Sequence, residues 1–599
     1  MFQSIPHMLF KTIEKYPDKD ALRFRRGGKL RRFTYREFGD VIMTLTHGLA
    51  AVGVAPGDKI AILSNNRPEW TMADFAGLSL RGVVVPIYQT LPPNQIAYIL
   101  NDSEARAIFV EDESQYDKIA QIRKKVRGLK YVFSFQPIPG AEGEVLSFDD
   151  VLAQGKAHQA QQPNFYYESI ERIQPQEICS MVYTSGTTGD PKGVMLHHHG
   201  FITDIVNADA VLNIEPTDVF LSFLPLSHLY ERLAGHWTPM YKGATIHYSQ
   251  SIDTVIDDIA EAKPSVIVSV PRLYEKIAAR VLEQVEHGSA LKQKIFYWAL
   301  AVGRKYHDQR IDGHISFKIR QQYKLANKLV FQKIKDKMGG RLRFPIAGGA
   351  PLAVETLKFF ESLDMQIIEG YGMTETHLII TLTPAGKSRY GSCGKPINQV
   401  QVKIASDGEV LIKGPTVMAG YYKKPALTQE TIDKDGWLHT GDIGYLDEDN
   451  YLYLTDRKKN ILITSGGKNI ASAPIENALK ASKYIDEVCL IGNNRKFVSA
   501  LIVPNYENLR KWAQQHGLEV TENSALVEQA AVKDFVWQEV ERLQTDFARF
   551  EQVKKIALLP EPFTIEKGEL TPSLKVKRNV VEQNYKDLID KIYLSEHVV

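Results

Sequence analysis

The run Tyr183-Thr-Ser-Gly-Thr-Thr-Gly-Asp-Pro-Lys192-Gly-Val follows an apolar segment, Ile178 to Tyr183, and is small, hydroxylated and glycine-rich, with a single lysine near its end. Gly186 and Gly189 let backbone N–H groups approach phosphate oxygens. Thr184, Ser185, Thr187 and Thr188 add hydroxyl donors, and Lys192 adds positive charge. A phosphate-holding loop is expected here rather than an ordinary flexible connection. It is not the GxxxxGK[ST] loop of the common nucleoside triphosphatases, because Pro191 precedes the lysine and Gly193 follows it, so kinase and GTPase chemistry is not expected.

Upstream of the loop, helical and strand patterns alternate. Thr34 and Glu37 form a capping-box pattern opening a helix to about Val52, and Ile60 to Leu63 reads as a buried strand. A helix after Pro68, a strand at Val83 to Ile87, a helix near Asn94 to Leu100 and a strand at Ala107 to Val110 continue the series. Such alternation predicts an α/β domain with mainly parallel sheets.

Downstream, from about Val400, the texture changes to short strands, QVKIA, EVLIK and YLYLT, separated by Asp407-Gly408 and by Asp447 to Asn450. A compact β subdomain is expected there. From about residue 460 a smaller α+β domain is expected, with strands at Glu487 to Ile491 and Val498 to Val503 and one amphipathic helix over Ala525 to Phe547.

With 599 residues the chain exceeds what one hydrophobic core supports, so at least two domains are expected. Lys plus Arg (73) nearly balance Asp plus Glu (71), which gives no global field for nucleic acid. Cys179, Cys393 and Cys489 are far apart and form no CxxC pair, arguing against a disulfide framework or structural zinc and for a cytoplasmic setting. The first twenty residues carry frequent charges and do not read as a signal peptide, and no window reaches the ~18 apolar residues of a membrane span. The run His197-His198-His199 invites a zinc assignment, but consecutive residues of one regular element cannot all point inward.

Between Leu291 and Arg343 there are 14 Lys or Arg against Asp308, Asp312 and Asp336, interleaved with Phe296, Tyr297, Trp298, Phe317, Tyr323 and Phe331. A solvated helical hairpin accounts for this pattern. So does a peripheral contact of segment 291–343 with an anionic membrane or an acidic partner.

The phosphate loop closely resembles that of the adenylate-forming acyl-CoA synthetases. Further motifs of that superfamily follow in its order: LPLSHLYER (224–232), AGGAPL (347–352), EGYGMTET (369–376), HTGD (439–442), DRKKN (456–460), SGGKN (465–469) and TPSLKVKR (571–578). The PLSHLYER form and the basic helical insertion resemble bacterial long-chain fatty-acid CoA ligases. The resemblance implies an acyl-CoA synthetase-like α/β fold, with a large AMP- and acyl-binding domain (1–455), a hinge (456–460) and a mobile C-terminal lid domain (461–599).

It also implies that a fatty carboxylate reacts with ATP, assisted by Mg²⁺, and that the acyl group then passes to coenzyme A. Tyr371 and Gly372 would face adenine, with Gly349 and Ala350 bringing backbone close. Thr374 would bond the α-phosphate and Glu375 would face Mg²⁺, a cation that needs only one or two carboxylates beside substrate phosphates. Asp442 and Arg457 would hold the ribose hydroxyls and His228 would stand beside the acyl pocket, with Leu224, Pro225, Leu226, Leu229 and Tyr230 lining a hydrocarbon tunnel. Lys575 would contact the carboxylate and α-phosphate. The usual Gly-Lys is Leu574-Lys575 in this chain, which leaves Lys577 as a rival. Lys459 matches the hinge position, and Gly467, in Ser465-Gly466-Gly467-Lys468, would let the pantetheine arm pass.

Three alternatives stand beside this. A fatty acyl-AMP ligase would deliver to a carrier protein, with the basic segment docking it. A luciferase-like enzyme would oxidise the adenylate. A non-catalytic nucleotide-binding protein would be expected to lack Lys192, Glu375 or Lys575, and all three are present.

Overall fold

The computed structural model describes residues 2–594 except 142, 185–189, 252–253, 312, 519, 521 and 572–574. Among these, two large sheets build the N-terminal part. The first has eight strands in the order Gly420–Tyr421, Lys192–His197, Ile178–Thr184, Val83–Ile87, Lys59–Leu63, Ala105–Val110, Tyr131–Ser134 and Leu146–Ser147. Its centre is parallel, with Ile60 opposite Val84 on one side and Ala107 on the other. Branched apolar residues fill both faces of these strands because helices cover both.

One covering helix, Tyr35–Val52, starts where its capping box predicts: Thr34 Oγ1 accepts from Glu37 N–H at 3.2 Å, and the Glu37 carboxylate accepts from Thr34 N–H at 2.7 Å. The helix Pro68–Ser79 is buried on every side. At the sheet's other end, Ile178–Thr184 and Lys192–His197 pair antiparallel, with Thr184 facing Lys192.

The second sheet has nine strands, with Val219–Ser222, Val266–Ser269, Phe344–Ala347 and Ile368–Tyr371 parallel at its centre. In open α/β sheets, ligands bind beyond the carboxyl ends of such strands. The AGGAPL and EGYGMTET motifs leave the carboxyl ends of the neighbouring strands Phe344–Ala347 and Ile368–Tyr371. The two sheets are joined through a buried ion pair. Arg232 Nε donates to Asp74 Oδ2 at 3.0 Å, its Nη2 donates to Asp74 Oδ1, and its Nη1 donates to Ser180 Oγ at 2.6 Å.

The expected β subdomain is a four-stranded antiparallel sheet, Gln401–Ile404, Glu409–Lys413, Leu438–Leu446 and Leu452–Arg457. The C-terminal part is built on a three-stranded sheet, Ile485–Ile491, Val498–Pro504 and Val553–Leu558. Period-two alternation sends Val488 and Leu490 into one core and Cys489 and Ile491 into another, so both faces are covered.

One expectation needs correction. The single helix over 525–547 is two, Asn523–Glu528 and Ala530–Leu543, with Gln529 extended between them. Val527 and Val532 both bury in one core, yet on a continuous helix of 3.6 residues per turn they would stand about 140° apart. The basic segment is a helical hairpin, and most of its Lys and Arg side chains are exposed. It forms Ala290–Ile311 and a second helical run over 317–337, and Phe296, Tyr323 and Phe331 are buried in the core beneath them. Arg304, Arg310 and Arg343 form ion pairs with Glu355, Asp364 and Asp218.

Candidate functional site

Tyr371 ends its strand, and its hydroxyl donates to Asp442 Oδ2 at 2.5 Å. Asp442 and Arg457 are cross-strand partners in the four-stranded sheet, and Arg457 Nε donates to Asp442 Oδ1 at 2.7 Å. The Asp442 backbone is fixed in turn: its N–H donates to Thr440 Oγ1 at 3.0 Å, and the preceding Gly441 N–H donates to Glu409 at 2.9 Å. Burial, and then the Asp442 charge, push the Tyr371 phenol well above its ordinary range. A flat ring, a carboxylate and a guanidinium are thereby held as one unit. Each carboxylate oxygen keeps accepting capacity beyond its single bond. Gly349 and Ala350 are exposed at the end of the neighbouring strand, where backbone is open to a ligand.

After Tyr371 the chain doubles back tightly. A Cβ on Gly372 would lie 1.2 Å from the Leu378 carbonyl oxygen, so only glycine fits there. A short 3₁₀ turn, Thr374–Thr376, follows and presents Thr374 and Glu375 half-buried. Glu375 Oε1 accepts from the Tyr421 hydroxyl at 2.9 Å, and the Lys192 ammonium stands 4.9 Å over the Tyr421 ring. Burial lowers the Lys192 pKa, opposed by the Glu375 carboxylate and reinforced by Lys459. Lys192 thus stands beside this turn, with Thr184 as its cross-strand partner, while Ser185, Gly186, Thr187, Thr188 and Gly189 lie outside the described residues. Among the described residues the second Glu375 oxygen has no hydrogen-bond partner. A half-exposed hard oxygen facing a phosphate-loop lysine fits a Mg²⁺ ion held mainly by nucleotide phosphates.

The C-terminal part contributes one lysine to this cleft. Thr571 N–H donates to the Lys575 carbonyl at 2.8 Å and Lys575 N–H to Thr571 Oγ1 at 2.9 Å, closing a hairpin whose tip, with Leu574, lies outside the described residues. The Lys575 pKa is lowered by burial and by Arg457, and partly restored by Asp442. Burial and the Lys575 charge lower the His228 pKa to about 4. His228 Nδ1 accepts from Tyr230 N–H at 3.0 Å, which puts the proton of the neutral ring on Nε2. Lys577, by contrast, occupies the N-cap position of the next helix, Arg578–Asn584, with no capping bond from its side chain.

Leu224, Leu226 and Leu229 are buried in the main core, and the Tyr230 hydroxyl donates to the Ser269 and Ile346 carbonyls at 3.1 and 3.3 Å. Gly467 lies in the turn between Leu462–Ile463 and Asn469–Ile470, and among the described residues no hydrogen bond joins it to the Asp442 cluster. Lys459 is exposed just beyond Arg457. His197 Nδ1 accepts from Gly200 N–H at 3.0 Å and His198 Nδ1 from Ile5 N–H at 3.4 Å, and no cluster of metal-ligating side chains occurs among the described residues. Tyr421 and His377 were missed from sequence. Tyr421 sits outside every motif, and only adjacency to TET marked His377.

The chain matches a family described as AMP-binding enzyme over residues 9–422 and one described as AMP-binding enzyme C-terminal domain over residues 459–597. It is 32% identical over 592 residues to Long chain acyl-CoA synthetase 6, peroxisomal, of Arabidopsis thaliana, covering 94% of this chain and 82% of that protein. It is 31% identical over 601 residues to Long-chain-fatty-acid–CoA ligase FadD15 of Mycobacterium tuberculosis, covering 99% and 97%. Among solved structures, the anthranilate CoA ligase AuaEII in complex with anthranoyl-AMP has a TM-score of 0.75 at 20% identity, covering 98% of each chain. ATP-bound MatB from Rhodopseudomonas palustris has a TM-score of 0.69 at 22% identity, covering 98% of this chain and 100% of that one.

Proposed function

The chain belongs to the AMP-binding enzyme family, and from that membership we propose that it is an ATP-dependent long-chain fatty-acid CoA ligase. The observation that carries the proposal is the convergence of Tyr371, Asp442, Arg457 and Lys575, from separate segments of the chain, on one cleft beside the phosphate-loop hairpin.

In the first half-reaction a fatty carboxylate oxygen bonds to the α-phosphorus of ATP as the bond to pyrophosphate breaks. Tyr371 stacks on adenine, Asp442 and Arg457 take the ribose hydroxyls, and Thr374 donates to the α-phosphate. Glu375 would hold Mg²⁺ beside the nucleotide phosphates, and the ion would supply charge neutralisation there. Lys192 holds the phosphates of the departing group, and Lys575 bridges the attacking carboxylate and the α-phosphate. Positioning and electrostatic stabilisation of this kind account for most of the acceleration in phosphoryl chemistry. His228 offers Nε2–H to the acyl carboxyl. In the second half-reaction the coenzyme A sulfur bonds to the acyl carbon and AMP leaves. We assign the change between steps to a hinge over 456–460, with Lys459 in it, between an N-terminal domain (1–455) and a lid (461–599). Gly467 would pass the pantetheine arm.

We further propose a cytoplasmic enzyme that works against an anionic membrane surface. On the helical run 317–337, Phe317, Leu325 and Leu329 are 78%, 50% and 42% exposed at four- and eight-residue spacing, flanked by exposed Lys318, Lys324, Lys328 and Lys333. An apolar ridge with basic flanks fits a bilayer interface. No helix among the described residues is long and apolar enough to cross a membrane.

The decisive experiment is mass spectrometry of products from the purified protein with palmitate, Mg²⁺ and ATP, with and without coenzyme A. Palmitoyl-CoA appearing only with coenzyme A is the expected result. Palmitoyl-AMP persisting in both would overturn transfer to coenzyme A in favour of a carrier-protein acceptor.

A further inference from the structure

The histidine run and the catalytic turn meet at His377. This residue directly follows the Thr374–Thr376 turn, is fully buried, and adopts φ +59°, in the left-handed region. Its Nδ1 donates to the Thr416 carbonyl at 2.6 Å, and its Nε2, which also stands 3.1 Å from the His197 carbonyl oxygen, accepts from His197 N–H at 3.0 Å. The two bonds demand opposite roles from the two ring nitrogens, which a neutral imidazole supplies.

Both partners lead back to the cleft. His197 ends the strand that Lys192 begins. Thr416 opens the segment in which Met418 N–H donates to the Glu375 carbonyl at 2.8 Å and the Tyr421 hydroxyl donates to the Glu375 carboxylate at 2.9 Å. That segment then pairs with the Lys192 strand, Tyr421 opposite Val194. On the other flank, Asp204 Oδ2 accepts from Ile379 N–H at 2.9 Å. Gly200 makes room for the ring, since a Cβ there would lie 2.5 Å from three of its atoms.

We propose that His377 is a positioning residue for adenylation, fixing the Glu375 turn against the Lys192 strand by bridging the His197 N–H and the Thr416 carbonyl. It touches no substrate, and its role rests on the ligase assignment. An error of about 1 Å in such a constellation costs up to about 100-fold in rate.

The test compares wild type, His377→Phe, His377→Gln and Gly200→Ala. Each is measured per active site, titrated by the acyl-adenylate burst, in two assays: palmitate- and Mg²⁺-dependent pyrophosphate–ATP exchange, and transfer to coenzyme A from supplied palmitoyl-adenylate. Phe keeps ring volume but neither hydrogen bond; the Gln amide can still donate to one partner and accept from the other. The expected result is exchange lowered about 10- to 100-fold in His377→Phe and Gly200→Ala, substantially restored in His377→Gln, with transfer within about threefold of wild type throughout. A core-packing role alone would favour Phe over Gln and lower active fraction rather than rate, and that order overturns the proposal. So does an equal fall in both assays. If His377→Phe does not fold, an unaltered exchange rate in Gly200→Ala overturns it instead. A wild type inactive in both assays would sink the ligase assignment itself, whereas an active wild type with unaltered variants sinks only the role of His377.

Discussion

The Tyr371 hydroxyl lies 2.5 Å from Asp442 Oδ2, and the opposite oxygen of that carboxylate is held by Arg457 at 2.7 Å. Asp442→Asn keeps the shape but leaves Arg457 without its counter-charge. Hydrogen bonds to charged groups contribute about 1.5 to 3 kcal/mol, so KM for ATP should rise roughly 10- to 100-fold. Tyr371→Phe removes one hydroxyl and leaves the ring, and a rise of only about 2- to 10-fold is expected. Steady-state exchange kinetics over an ATP series checks both, and an unchanged KM in Asp442→Asn would remove the ribose assignment.

Lys575 and Lys577 separate by their surroundings. Lys575→Ala should lower adenylation by about 10²- to 10³-fold, the usual cost of one charge-stabilising donor, while transfer from supplied acyl-adenylate survives. Lys577→Ala should stay within a few-fold. Because the Lys575 pKa is lowered, kcat/KM for ATP should fall on the alkaline side below the ordinary lysine pKa, as the free enzyme loses that proton. The limb should vanish in Lys575→Ala, and its persistence there would assign it to another group.

Glu231 carries a stability prediction. It is fully buried, stands 3.6 Å from His236 Nδ1, and burial raises its pKa to about 8. The folded protein therefore retains a proton that the unfolded chain loses near pH 4.3. Its stabilising contribution is complete below that pH and is lost as pH rises toward 8, at about 1.4 kcal/mol per unit. Glu231→Gln lacks the titration, so its Tm relative to wild type should climb steadily from pH 5 to 8. A Tm difference that does not vary with pH would mean that Glu231 is ionised in the fold.

The membrane proposal turns on a narrower set of lysines than the sequence offered. Lys335 is half-buried and Lys337 donates to Gln284 at 2.8 Å, whereas Lys324, Lys328 and Lys333 are exposed beside the apolar ridge. At about 1 kcal/mol per basic residue near an anionic surface, reversing these three to Glu should lower partitioning onto vesicles of phosphatidylglycerol and phosphatidylcholine at least about tenfold. Flotation with undiminished binding would move the contact elsewhere.

The regular elements were legible where local chemistry specifies them. The capping box at Thr34 and Glu37 placed a helix end to the residue, and the apolar runs at 60–63 and 83–87 became adjacent parallel strands. Motif residues were legible because their chemistry is unusual for loops. What sequence could not supply is the meeting of distant segments. Tyr421 reaches Glu375 across 46 positions, and His377 reaches His197 across 180, by contacts that follow from sheet order and leave no periodic mark. The break at Gln529 escaped for a related reason, since it brings Val527 and Val532 into one core that the local sequence does not reveal.

The void that Gly200 leaves for the His377 ring ties two distant codons together. A lineage that acquired a side chain at position 200 would first have to surrender the imidazole at 377, and one that surrendered the imidazole would be released from glycine. Drift at these sites should therefore be paired, so that in a broad set of relatives the two residues are inherited as a couple.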